Sequence, residues 1–255
     1  MFAQTPSVPV PLQPLLILSV VDSTNNYAMG LVHEGVAQHG TAVFAHEQTK
    51  GKGQRNREWF SQKDQNVALT IVIEPTYLAI SESFLLSMCI AVSTRRFVSN
   101  YLGNEVKIKW PNDIYWCDRK AGGILIENVL HGNKWIYAVT GIGLNINQTD
   151  FLELSTKAVS FKQVTGKDFN SMQLAKELCT LIDQNYETLR HQKEAIIGEY
   201  KTGLYKLNET VRLKKDNRVF NAVVKDVSNM GELIVHHATE ETFAVGDVEW
   251  IIQSG

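Results

Sequence analysis

With 255 residues the chain can form one large domain, or one of ~200 residues with a small appendage, since single cores stop growing near that size. Hydrophobic residues at 44% and charged residues at 20% exclude a disordered chain, and no apolar run nears the ~20 residues of a membrane span. The balance of 25 Lys plus Arg against 27 Asp plus Glu, net −2, excludes a general attraction to nucleic acid or anionic membranes, so any polyanion site is local.

The N-terminal stretch MFAQTPSVPVPLQP holds four of the six prolines and no basic residue, so residues 1–14 are expected to be an extended arm and neither a secretion signal nor a transit peptide. A cytoplasmic location follows. Leu15 to Val21 reads as a strand, and Asp22, Ser23 or Thr24 can cap a helix running to about Glu34. TAVFAHE (41–47) is a second strand. The basic loop GKGQRNREWF (51–60) comes next, followed by the buried strand NVALTIVI (66–73).

Phe84, Leu85, Met88, Ala91, Val92 and Val98 recur at helical spacing and predict a core helix from Ser81 to about Tyr101. VKIKW, KAGGILIENVL and KWIYAVTGIGLNIN are strand-like, with connections too short for crossover helices, so antiparallel pairing is expected. A long helix capped by Asn170 or Ser171 carries the stripe Leu174, Leu178, Leu181, Ile182, Leu189. From Leu207, the strands TVRLKK, RVFNAVVKDV, ELIVHH and TFAVGDVEWII alternate with DN and NMG turns and suggest a small β barrel. The fold class is therefore α+β, with a mixed or antiparallel sheet, helices and a C-terminal β module.

Cys89, Cys117 and Cys179 are far apart without a CxxC pair, which fits small buried residues better than disulfides or zinc, and no histidine falls in an HExxH pattern. The basic loop is no Walker A sequence, because position 46 is His and no Ser or Thr follows Lys52; GxGxxG fails at Asn56. Gly51 and Gly53 could still turn backbone amides toward an anion, with Lys52, Arg55 and Arg57 adding charge, although a solvated surface turn explains the loop as well.

In GIGLNIN, Gly141, Gly143, Asn145 and Asn147 alternate with Ile142, Leu144 and Ile146, giving one packed face and one bare face. The glycines suit close approach of a ligand, and Asn145 could read a flat heterocycle by paired donor and acceptor; tight sheet packing is the alternative. In KAGGILIE a regular strand puts Lys120, Gly122, Ile124 and Ile126 on one face, leaving the Lys120 stem unshielded. KWPNDIYW reads as a rigid turn presenting Asn112 and Asp113. DSTNN offers more polar groups at a helix N-terminus than capping requires. No GxSxG, Cys–His pair or spaced carboxylate pair supplies a hydrolytic nucleophile. Cations, amides and glycines instead suit phosphoryl or nucleotidyl transfer.

Five segments in order, DSTN, QTKGKGQRNREW, KWPNDIY, KAGGILIE and GIGLNIN, resemble the biotin protein ligases. The resemblance implies a catalytic domain (15–204) related to the class II aminoacyl-tRNA synthetase fold and an SH3-like domain (205–255). It further implies two-step chemistry: ATP with Mg²⁺ activates biotin to biotinyl-5′-AMP, and a lysine of a biotin carboxyl carrier protein, or of the carrier domain of a biotin-dependent carboxylase, receives the biotinyl group. By motif position, Ser23, Thr24, Asn25 and Gln48 would hold the ureido ring. Lys52 would approach the carboxylate, Lys120 would bridge carboxylate and α-phosphate, and Arg55 and Arg57 would serve the phosphates. Trp59 would line the nucleotide pocket, Asn145 would read adenine, Asn112 would line the site, and Asp113 would aid the incoming amine. Gly51, Gly53, Gln54, Gly122, Gly123, Gly141 and Gly143 complete the implied binding set, and the basic loop would close over it as a lid. A homodimer is an open option.

The family pattern GRGRxxRxW is altered, with Lys52 and Gln54 standing where it has arginines. Lysine keeps the charge without the bidentate fork. Loss of the second arginine implies weaker retention of the acyl-adenylate unless Arg55 takes its place. The first motif begins at Asp22, which leaves no room for a DNA-binding domain, so a monofunctional ligase is expected. The alternatives are a lipoate or octanoate transfer enzyme of the same superfamily, and an RNA-binding module that clamps with the loop and the barrel.

Overall fold

The computed structural model describes residues 15–152 and 157–251. The proline-rich arm expected over residues 1–14 lies outside the described residues. The chain runs β1 (Leu16–Leu18), α1 (Thr24–His33), β2 (Ala42–Ala45), β3 (Asn66–Ile73), α2 (Ser83–Leu102), β4 (Val106–Lys109), β5 (Asp113–Trp116), β6 (Arg119–His131) and β7 (Lys134–Asn145). It continues through α3 (Phe161–Thr165), α4 (Ser171–His191), α5 (Lys193–Thr202), β8 (Thr210–Lys215), β9 (Arg218–Val227), β10 (Leu233–His237), β11 (Thr239–Phe243) and β12 (Glu249–Trp250).

One sheet has the order β1-β2-β3-β7-β6-β5-β4 and a second the order β11-β10-β9-β8-β12. The first is mixed: β1 and β2, joined through α1, are parallel, while the remaining pairs are antiparallel as expected. Strand alternation sorts its two faces. Phe44, Leu69, Ile71, Ile142 and Leu144 point toward α2 and α4 and join the main core. That core runs without a break into Leu213, Val224 and Val235 of the second sheet. On the opposite face Val43, Val72 and Val139 pack under Ala28 of α1.

Because α1 is only 10 residues long, it covers one end of that face. Beyond it the cross-strand rows become small or polar: Thr70 opposite Gly141 opposite Leu125, then Ala68 opposite Gly143 opposite Gly123. This uncovered part of the sheet is the floor of the candidate site. Among the described residues, no helix is long and apolar enough to cross a membrane.

Several expectations need correction. The first strand stops at Leu18, and Val21 returns only as a bridge to Gln48. KWPNDIYW is a turn only through its first half, since Asp113–Trp116 pairs with both β4 and β6. TFAVGDVEWII is broken between Phe243 and Glu249, in a turn where Gly246 takes a φ of 103°. The helices α3 and α5 went unpredicted, being short and weakly striped. Cys89 and Cys179 are buried free thiols as expected, but Cys117 is exposed on the β5–β6 turn.

Candidate active site

The basic loop is a small hairpin laid over the bare floor. Trp59 N donates to Gly51 O (2.8 Å) and Gly53 N to Arg57 O (2.7 Å), with Arg55 in the left-handed region (φ 58°) at the tip. Gly51 is required for this closure, since a Cβ there would stand 2.3 Å from Trp59 O. The hairpin drops the Trp59 indole flat onto Gly143, where a Cβ would meet the ring at 2.5 Å. Asn25, from the first turn of α1, lies on Gly141 in the same way, with its Oδ1 2.2 Å from where a Cβ would be. Thus the glycine face predicted in β7 exists because two side chains must approach its backbone.

Two connected cavities result. The narrower one is lined by Ser23, Thr24, Asn25, Gln48 and Lys52 and floored by Gly141 and Gly143. The wider cleft is bounded by Arg55, Arg57, Lys109, Asp113 and Asn145, and on its far side by Val245, Gly246, Glu249 and Trp250 of the C-terminal sheet. Gly53, Gln54, Trp59, Asn112 and Lys120 line both and form the neck between them.

At the polar end of the narrow pocket Ser23, Thr24 and Asn25 are buried and Gln48 is half-buried, and hydrogen bonds orient Thr24, Asn25 and Gln48. Thr24 N donates to Gln48 Oε1 (2.8 Å), with Thr24 Oγ1 3.1 Å from the same oxygen, which turns Gln48 Nε2 toward the pocket as a donor. Thr70 Oγ1 donates to Asn25 Oδ1 (2.7 Å) and lies 2.8 Å from Thr24 Oγ1. Ser23 occupies the N-cap position of α1 but makes no side-chain capping bond, so its hydroxyl fronts the pocket instead of serving the helix.

At the neck, Lys120 Nζ is 2.6 Å from Asp113 Oδ1 and 5.5 Å from the centre of the Trp59 ring. The face predicted for Lys120 is wrong. Ile114 pairs with Gly122 but Tyr115 pairs with Lys120, so Ala121 is the extra residue of a β-bulge and the alternation slips there. Gly122 consequently faces Leu144 in the core and lines neither cavity, while Gly123 is the glycine beneath Lys120 Nζ. Gly51 also lines neither cavity. Asn112 is fixed by donating to Ile124 O.

Asn145 lines the cleft, but its Nδ2 donates to Lys120 O and Val159 O at 3.2 Å each. Only its Oδ1 is left for a ligand, so it cannot offer the expected donor–acceptor pair. Asn147 is spent on both backbone groups of Phe169. Arg55 turns away from the narrow pocket to donate to Gly246 O (3.0 Å) in the β11–β12 turn, and Arg57 lies 3.8 Å from Glu249 of β12.

Sequence reasoning missed Lys109 and the C-terminal wall of the cleft. Lys109 Nζ stands 5.3 Å from the ring centres of both Tyr115 and Trp250. Burial pulls its ammonium below the ordinary lysine value; Asp113 opposes this, while Lys120 and Arg57 add to it. The indole N–H groups of Trp59 and Trp250, both cleft residues, are buried without a hydrogen-bond partner among the described residues. The signal for Lys109 was its place beside Trp110–Pro111, next to residues already singled out.

Residues 17–145, just over half of the chain, match the model of the "Biotin/lipoate A/B protein ligase family". The chain belongs to this family. Its similar relatives include the bifunctional ligase/repressor BirA of Bacillus subtilis, 30% identical over 68% of this chain and 54% of the relative. The biotin--[acetyl-CoA-carboxylase] ligase of Paracoccus denitrificans is 35% identical over 51% of this chain and 53% of its own. The chain thus spans about half the length of these curated relatives. Among solved structures, the Aquifex aeolicus biotin protein ligase in complex with biotin and ATP superposes with a TM-score of 0.77 at 23% identity, covering 94% of this chain and 99% of that one. The Leishmania major biotin protein ligase in complex with biotinyl-5-AMP gives 0.65 at 25% identity, covering 91% and 99%. The α+β arrangement with its mixed sheet is therefore that of the family's ligases.

Proposed function

We propose that the protein is a biotin protein ligase, activating biotin with ATP to biotinyl-5′-AMP and passing the biotinyl group to a lysine of a carrier protein or carboxylase carrier domain in the cytoplasm. The observation that carries this reading is the neck. A pocket with a buried polar end opens at Lys120 into a cleft rich in cations, as two-anion condensation requires. The polar end, where Gln48 Nε2 and Ser23 Oγ have no hydrogen-bond partner among the described residues, suits a ureido ring and disfavours the apolar dithiolane of lipoate.

In this reading biotin lies on the Gly141–Gly143 floor with its carboxylate at Lys52 and Lys120. The carboxylate, ionised at neutral pH, needs no base; one of its oxygens attacks the α-phosphorus, the bond to the β-phosphate breaks, and pyrophosphate leaves. Lys120 offsets the repulsion between the two anions, and Arg57 and Lys109 border the path of the departing phosphates. Mg²⁺ would arrive with the nucleotide, and Asp113, Glu58 and Glu249 are the carboxylates bordering the cleft that could face it. In the second step a neutral carrier amine attacks the acyl carbon and AMP departs, with Asp113 beside Lys120 to take up the proton.

The same reading divides the chain into a catalytic domain over 15–204, related to the class II aminoacyl-tRNA synthetase fold, and an SH3-like barrel from residue 205 onward. Incubation with ATP, Mg²⁺, labelled biotin and a carboxylase carrier domain should label one carrier lysine. No transfer, with no change in melting temperature on adding biotin and ATP, would refute the assignment.

A further inference from the structure

Glu127, which lines neither cavity, sits at the edge of the floor opposite Val139, one cross-strand row beyond Thr70, Gly141 and Leu125. Its Oε2 accepts from Asn25 Nδ2 at 2.9 Å, and its Oε1 lies 3.7 Å from Lys52 Nζ in the basic loop. We propose that Glu127 is a positioning residue that sets the hydrogen-bond direction of Asn25, Thr70 and Thr24 at the polar end of the pocket and ties that end to the basic loop. The inference rests on the ligase reading above.

An ionised carboxylate can only accept. Facing it, Asn25 must present Nδ2, whose second hydrogen goes to Leu125 O at 3.4 Å. Asn25 Oδ1 is then compelled to face Thr70, which must donate its one hydroxyl hydrogen there. Having spent that hydrogen, Thr70 can only accept the one hydroxyl hydrogen of Thr24, 2.8 Å away, which leaves Gln48 Oε1 to the Thr24 N–H. The polarity fixed at Glu127 therefore reaches Thr24 through two residues that are themselves buried. Without it, only the 3.4 Å bond to Leu125 O opposes a flip of Asn25, so Thr70 and Thr24 lose their strongest directing contact and the pocket no longer presents one fixed set of donors and acceptors.

Glu127→Gln keeps the shape and removes both the acceptor-only character and the charge facing Lys52. Thr70→Val is isosteric and breaks the same relay two residues further on. Each should raise the biotin KM roughly 10-fold, the scale of one misdirected buried hydrogen bond, with kcat within about twofold of wild type. Because both variants break one relay, the double variant should be no worse than the poorer single one. Isothermal titration with biotin alone, in the absence of ATP, should show the same loss of affinity. Glu127→Asp should recover most of it only if the shorter side chain still reaches Asn25, which the loss or return of non-additivity with Thr70→Val reports. Unchanged biotin affinity in Glu127→Gln, or fully additive losses in the double variant, would overturn the proposal. Failure of wild-type protein to bind biotin would refute the ligase reading instead.

Discussion

Arg55 reaches from the tip of the basic loop to the carbonyl oxygen of Gly246, 191 residues later in the chain, at 3.0 Å. A side chain on Gly246 would occupy the guanidinium's place, at 2.3 Å from Nη2. The residue that was to replace the missing arginine at position 54 is thus committed to holding the loop against the C-terminal sheet. On the ligase reading proposed above, retention of the acyl-adenylate depends on this tether. Arg55→Ala should release free biotinyl-5′-AMP ~3–10-fold faster, the equivalent of one charge-assisted hydrogen bond at an exposed site. Escape can be followed as unspecific lysine labelling of a bystander protein. An unchanged release rate would show that the contact is incidental.

Among the described residues Lys120 is the only lysine lining both cavities, and it is paired at 2.6 Å with Asp113 and placed over Trp59. Lys120→Ala should lower the rate of adenylate formation by ~10²–10³-fold, the usual loss when a preorganised charge is removed from a transition state. Its melting temperature should stay near that of wild type, since the side chain is at the pocket surface. Pyrophosphate exchange measures the first step alone; exchange at the wild-type rate would remove Lys120 from the chemistry.

Much of this was legible in the sequence, and what was not has a common cause. Long periodic elements such as β3, α2 and α4, and the glycine face of β7, follow from alternation within one segment. The Lys120 face was misread because a bulge depends on the pairing of β6 with β5, and β5 itself was hidden inside a turn motif. The donor half of the pair expected from Asn145 was misread because the acceptors that use its amide, Lys120 O and Val159 O, come from other segments. Lys109 and the C-terminal wall were missed for the same reason: they become site residues only when the second sheet folds back, with Tyr205 and Leu204 running beside Ile108.

Gly143→Ala places a methyl 2.5 Å from the Trp59 ring, and Gly141→Ala places one 2.2 Å from Asn25 Oδ1. Neither neighbour can retreat without leaving the floor. Each substitution should cost about 1–3 kcal/mol of stability through overpacking, read from urea midpoints. The functional consequences should differ. Displacing Trp59, which lines both cavities, should weaken the binding of biotin and of ATP, whereas displacing Asn25, which lines the narrow pocket alone, should weaken biotin binding only. Matched losses for both ligands in both variants would show that the two cavities are not separately built.

Lys109 links stability to pH with a definite sign. Its folded-state affinity for the proton is below that of the unfolded chain, because burial outweighs the pull of Asp113. Below the folded pKa the ammonium is charged in both states and its burial penalises the fold in full. As pH rises from there toward the ordinary lysine value of 10.5 the unfolded chain keeps the proton that the folded one has lost, and stability climbs. Lys109→Met removes that climb. The difference in unfolding free energy, wild type minus variant, should therefore increase steadily through the alkaline range, with the variant gaining most over wild type at the lowest pH. Parallel stability curves would mean that Lys109 titrates as an ordinary lysine. The variant should also be slow in pyrophosphate exchange, since it lacks one of the cations that face the cleft.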